Sequence, residues 1–229
     1  LVGSEMCIRD SVDFDYFKIE DKISDCRWAD VCYADDELEG HKLDIYLPDT
    51  GKSSHKVVVL IYGSAWFANN MKQNAFQVFG RSLLDKGFAV VSINHRSSRD
   101  AKFPAQINDV KAAIRFIRAN AAKYKLDTSF IGITGFSSGG HLASLAGTTN
   151  GVKSYTIGDK TVDLEGNVGE YFSFSSRVDA VVDWFGPIDM TRMENCNTTK
   201  GANSPEAALI GGIPADNLDM LALLNLSLI

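Results

Sequence analysis

A serine framed by glycines lies in the middle of the chain, in the stretch Ile133–Ala143, which reads ITGFSSGGHLA. Gly135, Ser137 and Gly139 give a GxSxG pattern that follows an apolar run and precedes small residues. A serine on a sharp strand-to-helix turn can attack a carbonyl carbon, and side chains two residues before and after it would collide. The spacing therefore predicts a nucleophile elbow with Ser137 as the nucleophile. A glycine-rich turn that serves only close packing or phosphate binding is the alternative, and no GxGxxG or GxxxxGK[ST] motif supports a nucleotide site.

A serine nucleophile needs a base, and the sequence offers four histidines: His41, His55, His95 and His141. Where the serine of a catalytic triad lies on a nucleophile elbow, the chain order is Ser, Asp or Glu, then His. The base should therefore come from a loop well after Ser137. We expect His41 and His55 to be solvated, and His95 to be a core residue or to line the site. His141 follows the serine on the same helix, where it cannot approach from above the sheet, so we expect it to be buried and structural.

Apolar runs of strand length alternate with helical patterns along the chain. The runs HKLDIYLP, KVVVLIYG, FAVVSINHR, SFIGITG and RVDAVVDWFG are predicted strands. Between them lie QNAFQVFGRSLLDKG, which ends at Gly87, an amphipathic helix from Pro104 to Leu126, and SSGGHLASLAG. This order predicts an α/β fold with a doubly wound, mostly parallel sheet. The polar, glycine-rich segment from Thr148 to Ser176 is predicted to be an excursion above the sheet.

Composition narrows the class of protein. A chain of 229 residues that is 45% hydrophobic and 23% charged can bury a core, as a single globular domain does. A net charge of −6 without long basic runs argues against nucleic acid as a partner. No apolar run reaches the roughly 20 residues that a membrane span needs. No CxxC pair or metal-ligand spacing is present, so no metal is expected, while Cys26 and Cys32 could form a disulfide.

The two ends of the chain differ in character from the rest. LVGSEMCIRDS and LSLI resemble translated sequencing-adapter sequence, so residues 1–11 and 226–229 are expected to be a non-native leader and tail. Residues 12–225 then form a single, incomplete domain. A signal peptide could have preceded Val12, so the compartment stays open, with secretion or export to the periplasm among the alternatives.

Several segments together resemble the α/β-hydrolase esterases related to hormone-sensitive lipase. They are LDIYLP, YGSAW, VVSINHR, FPAQINDVKAAIRFIRANAAKY, GFSSGGHLA and VVDWFGPID, and the similarity runs from about Lys42 to Asn225. The resemblance is strongest to the branch that contains feruloyl and acetyl-xylan esterases of polysaccharide degradation. It implies an α/β-hydrolase fold and a serine carboxylesterase that acts through an acyl-enzyme on Ser137. The substrate it implies is a small-molecule or carbohydrate-linked ester, with no metal or organic cofactor.

In that family the oxyanion loop usually reads HGGGW where this chain has YGSAW. The chain therefore departs from the pattern at Tyr62, Ser64 and Ala65. The resemblance implies an oxyanion hole built from the N–H of Ser64 or Ala65 together with that of Ser138. A Cβ at the loop positions is penalised wherever the backbone needs a positive φ. Trp66 is expected to contribute to the substrate pocket, with a core tryptophan in an ordinary turn as the alternative.

The resemblance also implies seven or eight strands, yet only two short helical patterns, SPEAALIGG and ADNLDMLALLN, follow RVDAVVDWFG. We therefore expect that the last strands, with the triad acid and histidine, are missing from the chain and that the chain itself is inactive. Asp189 is the weaker alternative for the acid. RVDAVVDWFG would then be an exposed, aggregation-prone edge. Other functions kept open are a non-catalytic binding module, a serine peptidase of the prolyl-oligopeptidase type and an acyltransferase.

Overall fold

The computed structural model describes residues 26–195 and 199–225, and its centre is one mixed sheet. The strands are Cys26–Cys32 (β1), Lys42–Tyr46 (β2), His55–Ile61 (β3), Ala89–Ile93 (β4), Leu126–Phe136 (β5), Ser154–Ile157 (β6), Lys160–Asp163 (β7) and Ala180–Trp184 (β8). Six of them form the sheet in the order β1-β2-β4-β3-β5-β8, while β6 and β7 form a separate hairpin. β4, β3, β5 and β8 are parallel neighbours, and β1 and β2 are antiparallel additions. The predicted α/β class with a mostly parallel sheet is confirmed.

Helices cover both faces of the sheet. They are Lys72–Ala75 (α1), Arg81–Asp85 (α2), Ala105–Ala119 (α3), Ser138–Thr148 (α4), Pro205–Ile210 (α5) and Leu218–Ala222 (α6), and a π-helical turn joins α1 to α2. Val57 and Val59 of β3 pack in the larger core with α3 and α4, whereas Val58 and Leu60 pack with the α1–α2 side. Burial on both faces explains why the central strands are continuous apolar runs. Within the described ranges no helix is long and apolar enough to cross a membrane.

The structure changes one local prediction and adds two elements that the sequence did not predict. α3 ends at Ala119 rather than near Leu126, because Asn120 leaves the helix and its Nδ2 donates to the Phe116 carbonyl at 3.0 Å. The excursion contains the β6–β7 hairpin, which packs against α3 through a bond from Asn108 Nδ2 to the Asp163 carbonyl at 2.9 Å. β1 was not predicted, since its sequence CRWADVC lacks a continuous apolar run and is irregularly paired.

The suggested disulfide between Cys26 and Cys32 is wrong. Both side chains are free thiols at opposite ends of the seven-residue strand β1. A strand rises about 3.3 Å per residue, so the two Cα atoms lie about 20 Å apart, whereas a disulfide needs less than about 7 Å. Burial, supported by the negative charge of Asp44, raises the pKa of the Cys26 thiol to about 11.

β8 is an outer strand of the sheet and exposes apolar side chains. Val182 is 50% exposed and Phe185 is 64% exposed, and the Trp184 ring stacks on Phe79 with centroids 5.4 Å apart. Edge strands in natural proteins are protected by charge, proline or a bulge, and an unprotected apolar edge favours association.

We therefore expect the 229-residue chain to bind the dye ANS and to elute as a mixture of sizes in size-exclusion chromatography. Val182→Lys, which places a charge on the exposed edge, should lower dye emission by about half. Leu38→Lys is the matched control, because Leu38 is 51% exposed but lies away from β8. A monodisperse wild-type monomer without dye binding would contradict the prediction.

Candidate active site

Ser137 occupies a strained turn between the central strand and the helix that follows it. β5 ends at Phe136, α4 begins at Ser138, and Ser137 between them has φ 54° and ψ −127°. A positive φ is costly for a residue with a Cβ, so such outliers are found mainly where the surrounding structure enforces them. The Ser137 N–H donates to the Trp184 carbonyl at 2.9 Å, which fixes the turn to β8. Ser137 is half-buried, and no described residue forms a hydrogen bond with its hydroxyl.

The glycines around Ser137 are required by close backbone approach. A Cβ on Gly135 would overlap the Gly139 carbonyl and lie 2.7 Å from the Ile61 oxygen. A Cβ on Gly139 would overlap the carbonyl oxygens of Ile61 and Tyr62. The end of β3, the end of β5 and the start of α4 thus meet without room for side chains, which is the steric reason proposed for the GxSxG spacing.

The loop after β3 lies beside the elbow and also has unusual backbone angles. Ala65 and Trp66 have φ 48° and 60°. Their Cβ atoms make this left-handed backbone conformation energetically unfavourable, whereas glycine would adopt it without that cost. The Ser64 N–H donates to Ser138 Oγ at 2.9 Å and is therefore occupied. The N–H groups of Ala65 and Ser138 have no acceptor among the residues described. Of the two loop donors suggested by the sequence, Ala65 is thus the one that is unoccupied, and the oxyanion hole itself stays a prediction.

Trp66 is placed in the core rather than on an open surface. Its side chain is 2% exposed, and its ring meets the His141 ring edge-on with centroids 5.5 Å apart. The indole Nε1 has no hydrogen-bond partner in the described part of the chain. This is the placement of the alternative, a core tryptophan, and a pocket role for Trp66 stays a prediction without support from its burial.

The expectation that His41 and His55 are solvated is wrong, since both are buried. His41 lies between two carboxylates, with Nδ1 2.7 Å from Asp36 Oδ2 and Nε2 3.1 Å from Asp109 Oδ1. Burial alone would lower the pKa of His41, but the hydrogen bonds and charges of Asp109 and Asp36 outweigh it and raise that pKa. A buried Asp109 needs donors, and the histidine supplies one.

His95 and His141 are also core residues. His95 stacks on Tyr62 with centroids 4.9 Å apart, and its Nδ1 lies 2.9 Å from the Arg96 carbonyl oxygen. His141 Nε2 lies 3.0 Å from the Leu224 carbonyl oxygen, and burial lowers its pKa to about 4. The expectation of a buried His141 is confirmed. None of the chain's four histidines, all of which lie in the described ranges, forms a hydrogen bond with the Ser137 hydroxyl.

With this geometry in place, comparison with known proteins gives the family. The BD-FAE family model matches residues 43–226. The chain belongs to the BD-FAE family. The resemblance to α/β-hydrolase esterases is thereby confirmed.

Three individual proteins show the extent of this BD-FAE similarity. "Esterase LipQ" of Mycobacterium tuberculosis is 34% identical over 139 residues, which is 61% of this chain and 30% of the relative. A solved structure described as "Bifunctional GH43-CE Bacteroides eggerthii" is 92% identical, with a TM-score of 0.86 over 90% of this chain and 29% of that one. A "Truncated form of carbohydrate esterase from gut microbiota" is 60% identical, with a TM-score of 0.84 over 87% of this chain and 70% of that one. The BD-FAE chain thus spans about a third of the length of LipQ.

Two aspartates of this BD-FAE domain, one in β8 and one after it, differ in their surroundings. Asp183, which the sequence did not single out, accepts from Ser144 Oγ and from the Gly186 N–H, both at 2.8 Å, and so joins β8 to α4. Asp189, the alternative triad acid, accepts from Asn225 Nδ2 at 3.0 Å. A hydrogen bond from Thr191 lowers the pKa of Asp189. Neither aspartate forms a hydrogen bond with a histidine among the residues described.

Proposed function

We propose that this BD-FAE domain is a serine carboxylic ester hydrolase that forms an acyl-enzyme on Ser137. The observation that carries the proposal is the elbow, where Ser137, with φ 54°, is a half-buried residue at the carboxyl end of β5. Strained backbone of this kind is typical of active sites. The names of the relatives, an esterase and a carbohydrate esterase, support the same reaction and favour a carbohydrate-linked or small ester as the substrate.

In the proposed reaction the Ser137 oxygen attacks the ester carbonyl carbon and its proton passes to a general base. The oxyanion of the tetrahedral intermediate accepts from the N–H groups of Ala65 and Ser138, each worth about 3 kcal/mol of barrier. The intermediate collapses to the acyl-enzyme and releases the alcohol, and water then releases the acid. The general base in this reaction is not one of the chain's four histidines, because all four are buried and none forms a hydrogen bond with the Ser137 hydroxyl.

The 229-residue chain is therefore expected to turn over p-nitrophenyl acetate at no more than about 10³ to 10⁴ times the rate in water, which is what binding and the oxyanion hole supply without a base. A chimera is the active comparison: residues 26–225 replace the matching segment of the Bacteroides eggerthii protein. We expect the chimera to hydrolyse the ester at a far higher rate.

The Ser137→Ala variant of the 229-residue chain is the control. A large rate that Ser137→Ala removes would show that a histidine of this chain, His95 or His141, acts as the base. A chimera that folds and binds ester-bearing saccharides but does not hydrolyse them would favour the non-catalytic binding module.

A further inference from the structure

The two serines at Ser64 and Ser138 form the one described hydrogen bond between the oxyanion loop and the elbow. Ser64 N–H donates to Ser138 Oγ at 2.9 Å, and Ser138 is only 1% exposed. The remaining described bonds of the loop, residues 62–70, run within it or to the segment after β4. They include Phe67 N–H to the Ser64 carbonyl at 2.9 Å and Ser98 N–H to the Trp66 carbonyl at 2.7 Å.

The loop needs such a connection because its backbone is strained at two consecutive residues. Ala65 and Trp66 both have positive φ without being glycine. Residues with a Cβ remain in this region only when neighbouring contacts hold them there. On one side of Ala65 the contact is the bond from Ser64 to Ser138, and on the other it is the bond from Ser98 to Trp66.

We propose that Ser138 is a positioning residue whose hydroxyl sets the distance between the two oxyanion donors. One of the two donors is the N–H of Ser138 itself. The Ser138 hydroxyl accepts a hydrogen bond from Ser64, and Ser64 precedes Ala65, whose N–H is the other donor. One hydrogen bond therefore fixes the loop relative to the elbow, and the proposal requires that it holds the N–H groups of Ala65 and Ser138 within reach of the same oxyanion. This inference rests on the proposed function, because it assigns Ser138 a part in the same reaction.

The kinetic test uses Ser138→Ala in the chimera, which removes one buried oxygen and adds no bulk. We expect kcat for p-nitrophenyl acetate to fall about ten-fold with KM changed by less than about two-fold, since donors that are misplaced lose transition-state rather than ground-state binding. The inhibition constant of an alkyl boronic acid, which forms a tetrahedral adduct, should rise about ten-fold in parallel. Ser144→Ala is the matched control, because it removes a hydroxyl from the same helix at its bond to Asp183.

A second measurement needs no activity. Amide hydrogen exchange of the peptide that contains Ser64, followed by mass spectrometry in the chimera, should become about ten-fold faster in Ser138→Ala and stay unchanged in Ser144→Ala. Unchanged exchange, or a loss of kcat that Ser144→Ala reproduces, would overturn the positioning role. If Ser137→Ala is inactive while Ser138→Ala has wild-type kcat, this inference fails and the proposed function survives. If Ser137→Ala is active, the proposed function itself fails.

Discussion

Replacement of Ser137 by alanine in the chimera is expected to lower kcat/KM for p-nitrophenyl acetate by about 10⁴-fold or more. Loss of the nucleophile removes the acyl-enzyme route, and comparable hydrolases then keep only the catalysis due to binding and the oxyanion hole. Alanine keeps the Cβ that already tolerates φ 54° at this position, so the elbow should keep its shape.

Initial rates with and without the substitution measure this effect, and thermal melting shows whether the fold is kept. Ser144→Ala serves again as the matched control, since Ser144 lies on the same helix and its hydroxyl bonds Asp183 rather than facing substrate. Residual activity within about ten-fold of wild type would remove Ser137 from the mechanism.

Gly135→Ala is expected to destabilise the domain by about 3 kcal/mol, near the upper end of overpacking effects. The added Cβ would overlap the Gly139 carbonyl and lie 2.7 Å from the Ile61 oxygen, and backbone atoms cannot move aside as a flexible side chain can. In a domain of this size that loss corresponds to a melting temperature lower by about 6 to 12 °C.

Gly132→Ala provides the control on the same strand. Its Cβ would meet the Phe130 ring at 3.3 Å, and a side chain at that distance can shift. Calorimetry or circular dichroism of both variants separates the two cases. Equal melting temperatures for Gly135→Ala and Gly132→Ala would show that the GxSxG glycines are not held by close packing.

The sequence correctly predicted those parts of the fold in which a local residue pattern reflects a single structural requirement. Continuous apolar runs such as Val57–Ile61 mark strands buried on both faces, and the glycines around Ser137 mark backbone contact. The predicted end of α3 was wrong because the apolar spacing continues past Ala119. The helix ends there because Asn120 leaves the helical conformation and its side chain donates to the Phe116 carbonyl, a contact that apolar spacing does not show.

The parts that the sequence could not predict depend on partners distant along the chain. His41 was expected in solvent, but it is buried beside the carboxylate of Asp109, which lies 68 residues later in the chain and within hydrogen-bond distance of the His41 ring. The bond from the Ser64 N–H to Ser138 Oγ joins residues 74 positions apart. No local pattern marks either contact, so the choice between Ser64 and Ala65 as a free donor required the folded structure.

The central claim is that Ser137 is the nucleophile of an ester hydrolase, and covalent labelling of the chimera tests it most directly. Incubation with a fluorophosphonate, which phosphonylates activated serines, would be followed by intact mass measurement and peptide mapping. We predict one adduct per chain from this domain, on the peptide that contains Ser137, with loss of ester hydrolysis in step with labelling and no adduct in Ser137→Ala. An adduct on another residue of the domain, or full hydrolysis by protein that is not labelled at Ser137, would contradict the claim.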